Sequence, residues 1–210
     1  MGRSKSSHQW LKSHFDDEFV KRAQREGYRS RAVYKLEEIQ RKDRILKPGM
    51  TLVDLGASPG GWSQYAARLL KGTGRIIAMD ILPMEPLSGV EFLRGDFRED
   101  TVLERLLGML AGGGIDLVMS DMAPNITGMD AVDQPGSLYL AELAVDFADR
   151  VLREGGVLLF KAFQGEGFDE LVKTLRTHYQ AVRIRKPRAS RPKSREVYVL
   201  AKHRNPANVS

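Results

Sequence analysis

Thr51-Leu-Val-Asp-Leu-Gly-Ala-Ser-Pro-Gly-Gly-Trp62 decides how this chain is read. Leu52, Val53 and Leu55 make a short buried strand. The glycine-rich stretch after them turns the chain into a helix carrying Ser63-Gln-Tyr-Ala-Ala-Arg-Leu-Leu70. A strand, a glycine turn and a helix N-terminus together form a nucleotide-type cradle. Gly56, Gly60 and Gly61 let backbone approach a ligand closely, and Pro59 stiffens the turn. The spacing is not G-x-G-x-x-G, and Asp54 puts a carboxylate where a pyrophosphate would want none. A ligand with an amino group and a ribose, such as S-adenosylmethionine, suits that combination. Asp54, Gly56, Pro59, Gly60, Gly61 and Trp62 are the candidate contacts.

Outward from this turn, apolar runs alternate with helical or loop segments. The runs are Thr51–Leu55, Arg75–Asp80, Val90–Arg94, Ile115–Ser120 and Val157–Phe163, and the spacing predicts helices over 61–71, 99–110, 135–153 and 167–178. Gly155-Gly156 reads as the stop of the longest helix. Short buried strands separated by helices imply a mostly parallel α/β sheet with helices on both faces. Ala181–Lys186 and Glu196–Ala201 alternate strongly across a basic loop, so they predict a C-terminal hairpin that adds an antiparallel strand and brings the sheet to seven. Towards the N-terminus, Trp10–Gly27 has helical periodicity, and Ser30 reads as the N-cap of a helix over Arg31–Lys42. Residues 1–9 read as disordered, 10–202 as a single domain with 10–47 a basic helical extension packed on it, and 203–210 as a tail.

Composition excludes several classes. There is no cysteine, so disulfides and thiolate metal sites are out, and His8, His14, His178 and His203 lack metal-ligand spacing. No apolar run approaches the ~18 residues of a membrane helix, and no signal-peptide core is present. These features predict an intracellular, cytoplasmic protein without a metal. The net charge of +6 is unevenly spread. Residues 1–47 carry +6, residues 48–172 carry −10, and residues 173–210 carry +10. Two basic ends flanking an acidic centre suit a phosphate backbone. Arg29, Arg31, Lys186, Arg188, Arg191, Lys193 and Arg195 are the candidate RNA contacts.

Ligands of open α/β sheets bind beyond the carboxyl ends of the strands. Those ends carry Asp54, Asp80, Asp96, Asp121 and Lys161. Asp80 lies at the distance past the glycine turn where a carboxylate accepts from ribose hydroxyls. Asp96 is placed for an adenine amine, and Asp121 for the reactive end of the ligand. Lys161 follows the apolar run Val157-Leu-Leu-Phe160, where an ammonium is costly unless paired or neutral.

Five segments resemble the RrmJ/FtsJ-type 2′-O-ribose methyltransferases of ribosomal RNA. They are Arg29-Ser-Arg-Ala-Val-Tyr-Lys-Leu36, Val53-Asp-Leu-Gly-Ala-Ser-Pro-Gly-Gly-Trp-Ser-Gln64, Ser120-Asp-Met-Ala-Pro-Asn125, Lys161-Ala-Phe-Gln-Gly-Glu166 and Ser194-Arg-Glu-Val-Tyr198. The resemblance spans about Trp10 to Lys202 and implies a Rossmann-like methyltransferase fold with S-adenosylmethionine as donor. It also implies a uridine ribose in 23S RNA of the large (50S) subunit as target, and a catalytic tetrad of Lys35, Asp121, Lys161 and Glu196. Ser58 stands where relatives commonly carry alanine. Methyl transfer to a ribose oxygen requires a 2′-hydroxyl held close and its proton removed as attack proceeds, which a lysine does only when burial or a second ammonium favours its amine form. Other ribose targets, a transfer RNA or a messenger RNA cap, use the same chemistry. A non-catalytic ribosome-assembly RNA-binding protein would not call for a buried lysine. The missing G-x-G-x-x-G disfavours an oxidoreductase. Asp121-Met-Ala-Pro124 disfavours methylation of a base amine.

Overall fold

The structure is a computed structural model and describes residues 17–110, 113–124, 130–191 and 194–206. Among the described residues two helices, α1 (Glu18–Glu26) and α2 (Val33–Asp43), precede the sheet. Then come β1 (Thr51–Leu55), α3 (Gly61–Leu70), β2 (Arg75–Asp80), β3 (Val90–Arg94), α4 (Asp100–Met109), β4 (Ile115–Ser120) and α5 (Asp130–Val151). The described chain closes with β5 (Leu152–Phe163), α6 (Phe168–His178), β6 (Tyr179–Arg185) and β7 (Glu196–Arg204). The strands form one seven-stranded sheet in the order β3-β2-β1-β4-β5-β7-β6. From β3 to β5 all pairs are parallel, while β7 runs antiparallel to both β5 and β6. The expected hairpin is present, but its second strand slots between β5 and β6. The sequence order of strands reverses between β1 and β4, which makes the carboxyl ends of those two strands the natural ligand crevice.

Strand periodicity assigns the two faces. Val53, Leu55, Val118, Leu158, Phe160, Val197 and Val199 pack into one apolar layer with Phe147 and Leu175 of α5 and α6. Their alternate neighbours Leu52, Leu117, Met119, Val157, Leu159, Tyr198 and Leu200 pack into a second layer with Leu36 and Ile39 of α2 and Trp62 and Ala66 of α3. Side chains two apart on a strand share a face. Asp54, Lys161 and Glu196 therefore belong to the face that α2 and α3 cover.

Several boundaries differ from expectation for physical reasons. The helix α1 begins at Glu18, with Asp17 accepting from the Phe19 amide at 2.9 Å; the expected stretch from Trp10 to Asp16 lies outside the described residues. Ser30 does not cap the next helix. α2 starts at Val33 with Ala32 in the cap position, and the Ser30 hydroxyl lies where a side chain on Gly61 would be. Gly155-Gly156 does not stop α5. Gly155, in a left-handed conformation, sits in a bulge of β5, where the register with β4 jumps from Ile115↔Leu152 to Leu117↔Val157. α5 begins five residues ahead of Pro135, a proline near a helix start costing one backbone bond. β7 continues to Arg204, into the expected tail.

Asp43 fastens α2 to the far edge of the sheet. Its side chain is fully buried and accepts from Arg185 at 2.6 and 2.7 Å and from Arg183 at 3.3 Å. The Arg185 bonds outweigh the cost of burial and hold this carboxyl below the usual carboxylate range. A depressed pKa contributes stability above the ordinary carboxylate range and loses it as pH falls. Asp43→Asn should destabilise the protein by about 2–3 kcal/mol at neutral pH, less than a wholly buried pair because Arg183 is half exposed, and the deficit should shrink on acidification. Urea unfolding of both proteins at neutral and acidic pH checks this.

Candidate active site

At the carboxyl ends of β4 and β5, the shared face brings four charged side chains together. Lys161, 9% exposed, lies opposite Tyr198 in the β5–β7 ladder. Its ammonium donates to the Asp121 carbonyl at 2.5 Å and stands 3.1 Å from Asp121 Oδ1. The Tyr198 hydroxyl donates to the same Oδ1 at 2.6 Å. Lys35 projects from α2 with Nζ 2.9 Å from Glu196 Oε1 and 5.5 Å from the Tyr198 ring centre. Two carboxylate–ammonium pairs thus share one aromatic side chain. Burial raises the Asp121 carboxyl, but Lys161 and Lys35, with the Tyr198 bond, more than reverse this and hold it below the usual range. Burial, then Asp121, pushes the Tyr198 phenol well above its ordinary value, so the hydroxyl stays a donor.

Sequence reasoning missed two members of this group. Tyr198 emerges only once β7 is known to pair with β5. Ser190 donates to Glu196 Oε1 at 2.7 Å from a buried position in the β6–β7 loop. The signal available for it was a small polar residue inside a run of basic ones.

The glycine turn lies beside this cluster, and much of its spare room is filled by protein. A Cβ on Gly56 would meet the Met122 backbone at 2.8 Å. On Gly60 it would meet Met84 and Arg29, and on Gly61 the Ser30 hydroxyl. Trp62 is buried, with its indole N–H donating to the Ala32 carbonyl at 2.9 Å and its ring 5.6 Å from Tyr198. It therefore serves the core and not the rim. Asp80 accepts from the Ser58 and Leu82 amides, both at 2.8 Å, which leaves lone pairs for further donors. Asp96 is held by the Arg98 guanidinium at 2.6–3.2 Å. Asp54 is wholly buried, accepts from Ser63 at 2.6 Å, and leaves Oδ1 without a partner. The Asp121 and Asp80 carboxylates are near enough to add to the cost of ionising Asp54. A ligand bringing positive charge fits that crevice and a pyrophosphate does not. Among the described residues no cluster of three or more His, Asp or Glu side chains could hold a metal ion, and no helix is long and apolar enough to cross a membrane.

The sequence matches the FtsJ-like methyltransferase family over residues 28–204. This chain belongs to that family. It is 58% identical over 205 residues to the ribosomal RNA large subunit methyltransferase E of Legionella pneumophila (strain Lens), covering 98% of this chain and all of that one. It is 62% identical over 198 residues to the protein of the same name from Stenotrophomonas maltophilia (strain R551-3), covering 94% of each. Its fold matches the crystal structure of a protein described as a ribosomal RNA methyltransferase from Plasmodium falciparum. The TM-score is 0.76 at 30% identity, over 84% of this chain and 98% of that one.

In this FtsJ-like methyltransferase three of the basic residues singled out by sequence have bonds to backbone or carboxylate groups of the protein. Arg29 bonds to three backbone carbonyls, Arg31 to Asp17 and the Ala189 carbonyl, and Lys186 to the Ser194 and Glu196 carbonyls at 2.6 and 2.5 Å. Arg188, Arg191 and Arg195 are exposed, and Lys193 lies outside the described residues.

Burial pushes the Asp54 carboxyl up to about 7 against the pull of the Ser63 bond, and the charges of Asp121 and Asp80 add to the rise. A raised carboxylate pKa means the folded state holds the proton longer, so stability from this group falls as pH climbs from the unfolded value towards 7. The slope is at most about 1.4 kcal/mol per pH unit. Asp54→Asn should match the parent near pH 4 and become progressively more stable than it by pH 7. Paired denaturant titrations across that range decide it; a constant difference counts against the assignment.

Proposed function

We propose that this protein transfers the methyl group of S-adenosylmethionine to the 2′-hydroxyl of a uridine ribose in the 23S RNA of the large ribosomal subunit, in the cytoplasm. The observation that carries the reading is the pair of ammonium–carboxylate couples, Lys161–Asp121 and Lys35–Glu196, joined through Tyr198 at the strand-order reversal. The large-subunit RNA named for the 58–62% identical relatives supports the substrate.

S-adenosylmethionine supplies an electrophilic methyl on a sulfonium. Asp80 would accept from its ribose hydroxyls, Asp96 would lie near its adenine, and Asp54 and Asp121 would favour its positive charge. Gly56, Pro59, Gly60 and Gly61 shape the turn beside it. Lys161, once its ammonium has given a proton to solvent, would hold the target hydroxyl in line and take its proton as the C–O bond forms and the methyl–sulfur bond of the sulfonium breaks. Asp121 orients Lys161, while Lys35 and Glu196 place the ribose. Lys161→Ala should lower single-turnover methyl transfer to ribosomal particles by at least ~10²–10⁴-fold while folding and cofactor binding persist. Lys161→Arg should not rescue, because a guanidinium does not give up its proton at usable pH. Near-normal transfer by either variant, or no 2′-O-methyl mapped on the RNA with the parent protein, refutes the mechanism.

The RNA approaches, in this reading, over a cleft of about 940 Å³ between α1, α2 and the β6–β7 loop. The exposed Arg25, Arg41, Arg44 and Arg188 line it. Glu37 and Glu38, which also face it, are bonded to Arg22 and Lys42. Arg191 and Arg195 extend this basic surface. Replacing Arg41, Arg44 and Arg188 together by Ala should weaken RNA binding and flatten its log–log salt dependence by about 2–3. Cofactor affinity should stay put. Calorimetric cofactor titration and RNA binding at several salt concentrations measure both.

A further inference from the structure

Arg29 is tied to both the glycine turn and the β2–β3 loop, the two walls of the crevice at the strand ends, a cleft distinct from the one lined by Arg41 and Arg188. Its Nη1 donates to the Pro59 carbonyl of that turn at 3.3 Å and to the Glu85 carbonyl at 2.7 Å. Its Nη2 donates to the Pro86 carbonyl at 2.8 Å. Glu85 and Pro86 belong to the loop between β2 and β3, the opposite wall. We propose that Arg29 is a positioning residue for cofactor binding, a latch that fixes the distance between these two walls. The inference rests on the assignment of S-adenosylmethionine to this cleft.

Three features single out the latch. The first is the anchoring of its backbone. The Arg29 amide donates to Gln64 Oε1 at 3.0 Å, and Gln64 Nε2 donates to the Gly27 carbonyl at 2.8 Å, so the segment is pinned to α3 before its side chain reaches across. Second, the turn leaves room for it: a side chain at Gly60 would come within 3.0 Å of Arg29 Nη1 and 2.9 Å of Met84 Sδ. Third, the other ties between the walls fall earlier in the loop. Ser58 and Leu82 amides meet on Asp80, the Ser58 hydroxyl donates to the Pro83 carbonyl at 3.1 Å, and Met84 packs on Ala57 and Ala78. Arg29 supplies the bonds further along the loop, at Glu85 and Pro86. A planar fork with several N–H donors can bridge three carbonyls at once, whereas a lysine ammonium on a flexible stem is a single point donor. A guanidinium so engaged would have to abandon the wall to meet a phosphate.

The experiment compares Arg29→Ala and Arg29→Lys with the parent by calorimetric titration of S-adenosylmethionine, by steady-state kinetics, and by RNA affinity. Arg29→Ala should raise the cofactor Kd and KM by about tenfold or more, the loss of roughly one charge-assisted bond's worth of binding. Its kcat at saturating cofactor, and its RNA affinity, should stay within about twofold. Arg29→Lys should recover only part of the loss. Unchanged cofactor affinity in Arg29→Ala, full rescue by Lys, or a fall in RNA affinity with cofactor affinity intact would each overturn the latch. Should Arg29→Ala fail to fold, Arg29→Lys decides alone, and a parent-like cofactor Kd there overturns it. Failure of the parent protein to bind S-adenosylmethionine would instead remove the cofactor assignment itself.

Discussion

An ammonium inside a sheet must be answered, and most of the site can be understood as the answer to Lys161. The β5 run from Val157 to Ala162 is buried throughout. An unpaired charge there would be strongly destabilising, so a carboxylate, a carbonyl or both have to come within bonding distance. Asp121 supplies both from the end of the neighbouring strand. Its shared oxygen is in turn fixed by Tyr198, delivered by β7 directly across from Lys161. The same tyrosine ring lies under Lys35, whose own counter-charge, Glu196, is two residues earlier on β7. Satisfying one buried cation therefore recruits a strand, a helix and a second ion pair.

Much of this was legible from the chain. The bounds of β1, β2, β3 and β4 follow from short apolar runs between breakers, because local burial alone sets them. The four residues of the tetrad could be named from motifs, and the structure brings all four together. What sequence periodicity does not carry is which strand lies beside which. Tyr198 gains its place only through the β5–β7 pairing, and Ser190 only through the loop that brings it to Glu196. Charge counts likewise give no destination for a side chain. Arg29, Arg31 and Lys186 contribute to a basic end, yet their donors are bonded to the protein itself.

Glycine was the subtler case. A glycine-rich turn reads as space reserved for a ligand, but space in a packed molecule is filled by whatever arrives. Ser30 and Arg29 occupy the clearances at Gly61 and Gly60, and Trp62 reaches back to the Ala32 carbonyl. The segment from Gly27 to Ala32 is therefore built into the turn, and three residues beyond it α2 presents Lys35. The turn and the lysine that completes the site are parts of one contiguous contact, so distortion at either would be felt at the other.

The place of β7 has an implication for how the molecule is made. In sequence β7 follows β6, yet in the sheet it lies between β6 and β5. A chain emerging from the ribosome releases β5, α6 and β6 first. Until β7 follows, the facing edges of β5 and β6 have no partner in each other, and Lys161 has neither Tyr198 opposite it nor Glu196 nearby. Unpaired apolar edges of this kind are sticky. The last-threaded strand is thus both the seal on a vulnerable nascent sheet and the carrier of Tyr198 and Glu196, so the charged cluster at the strand ends is assembled only when the final strand is in place.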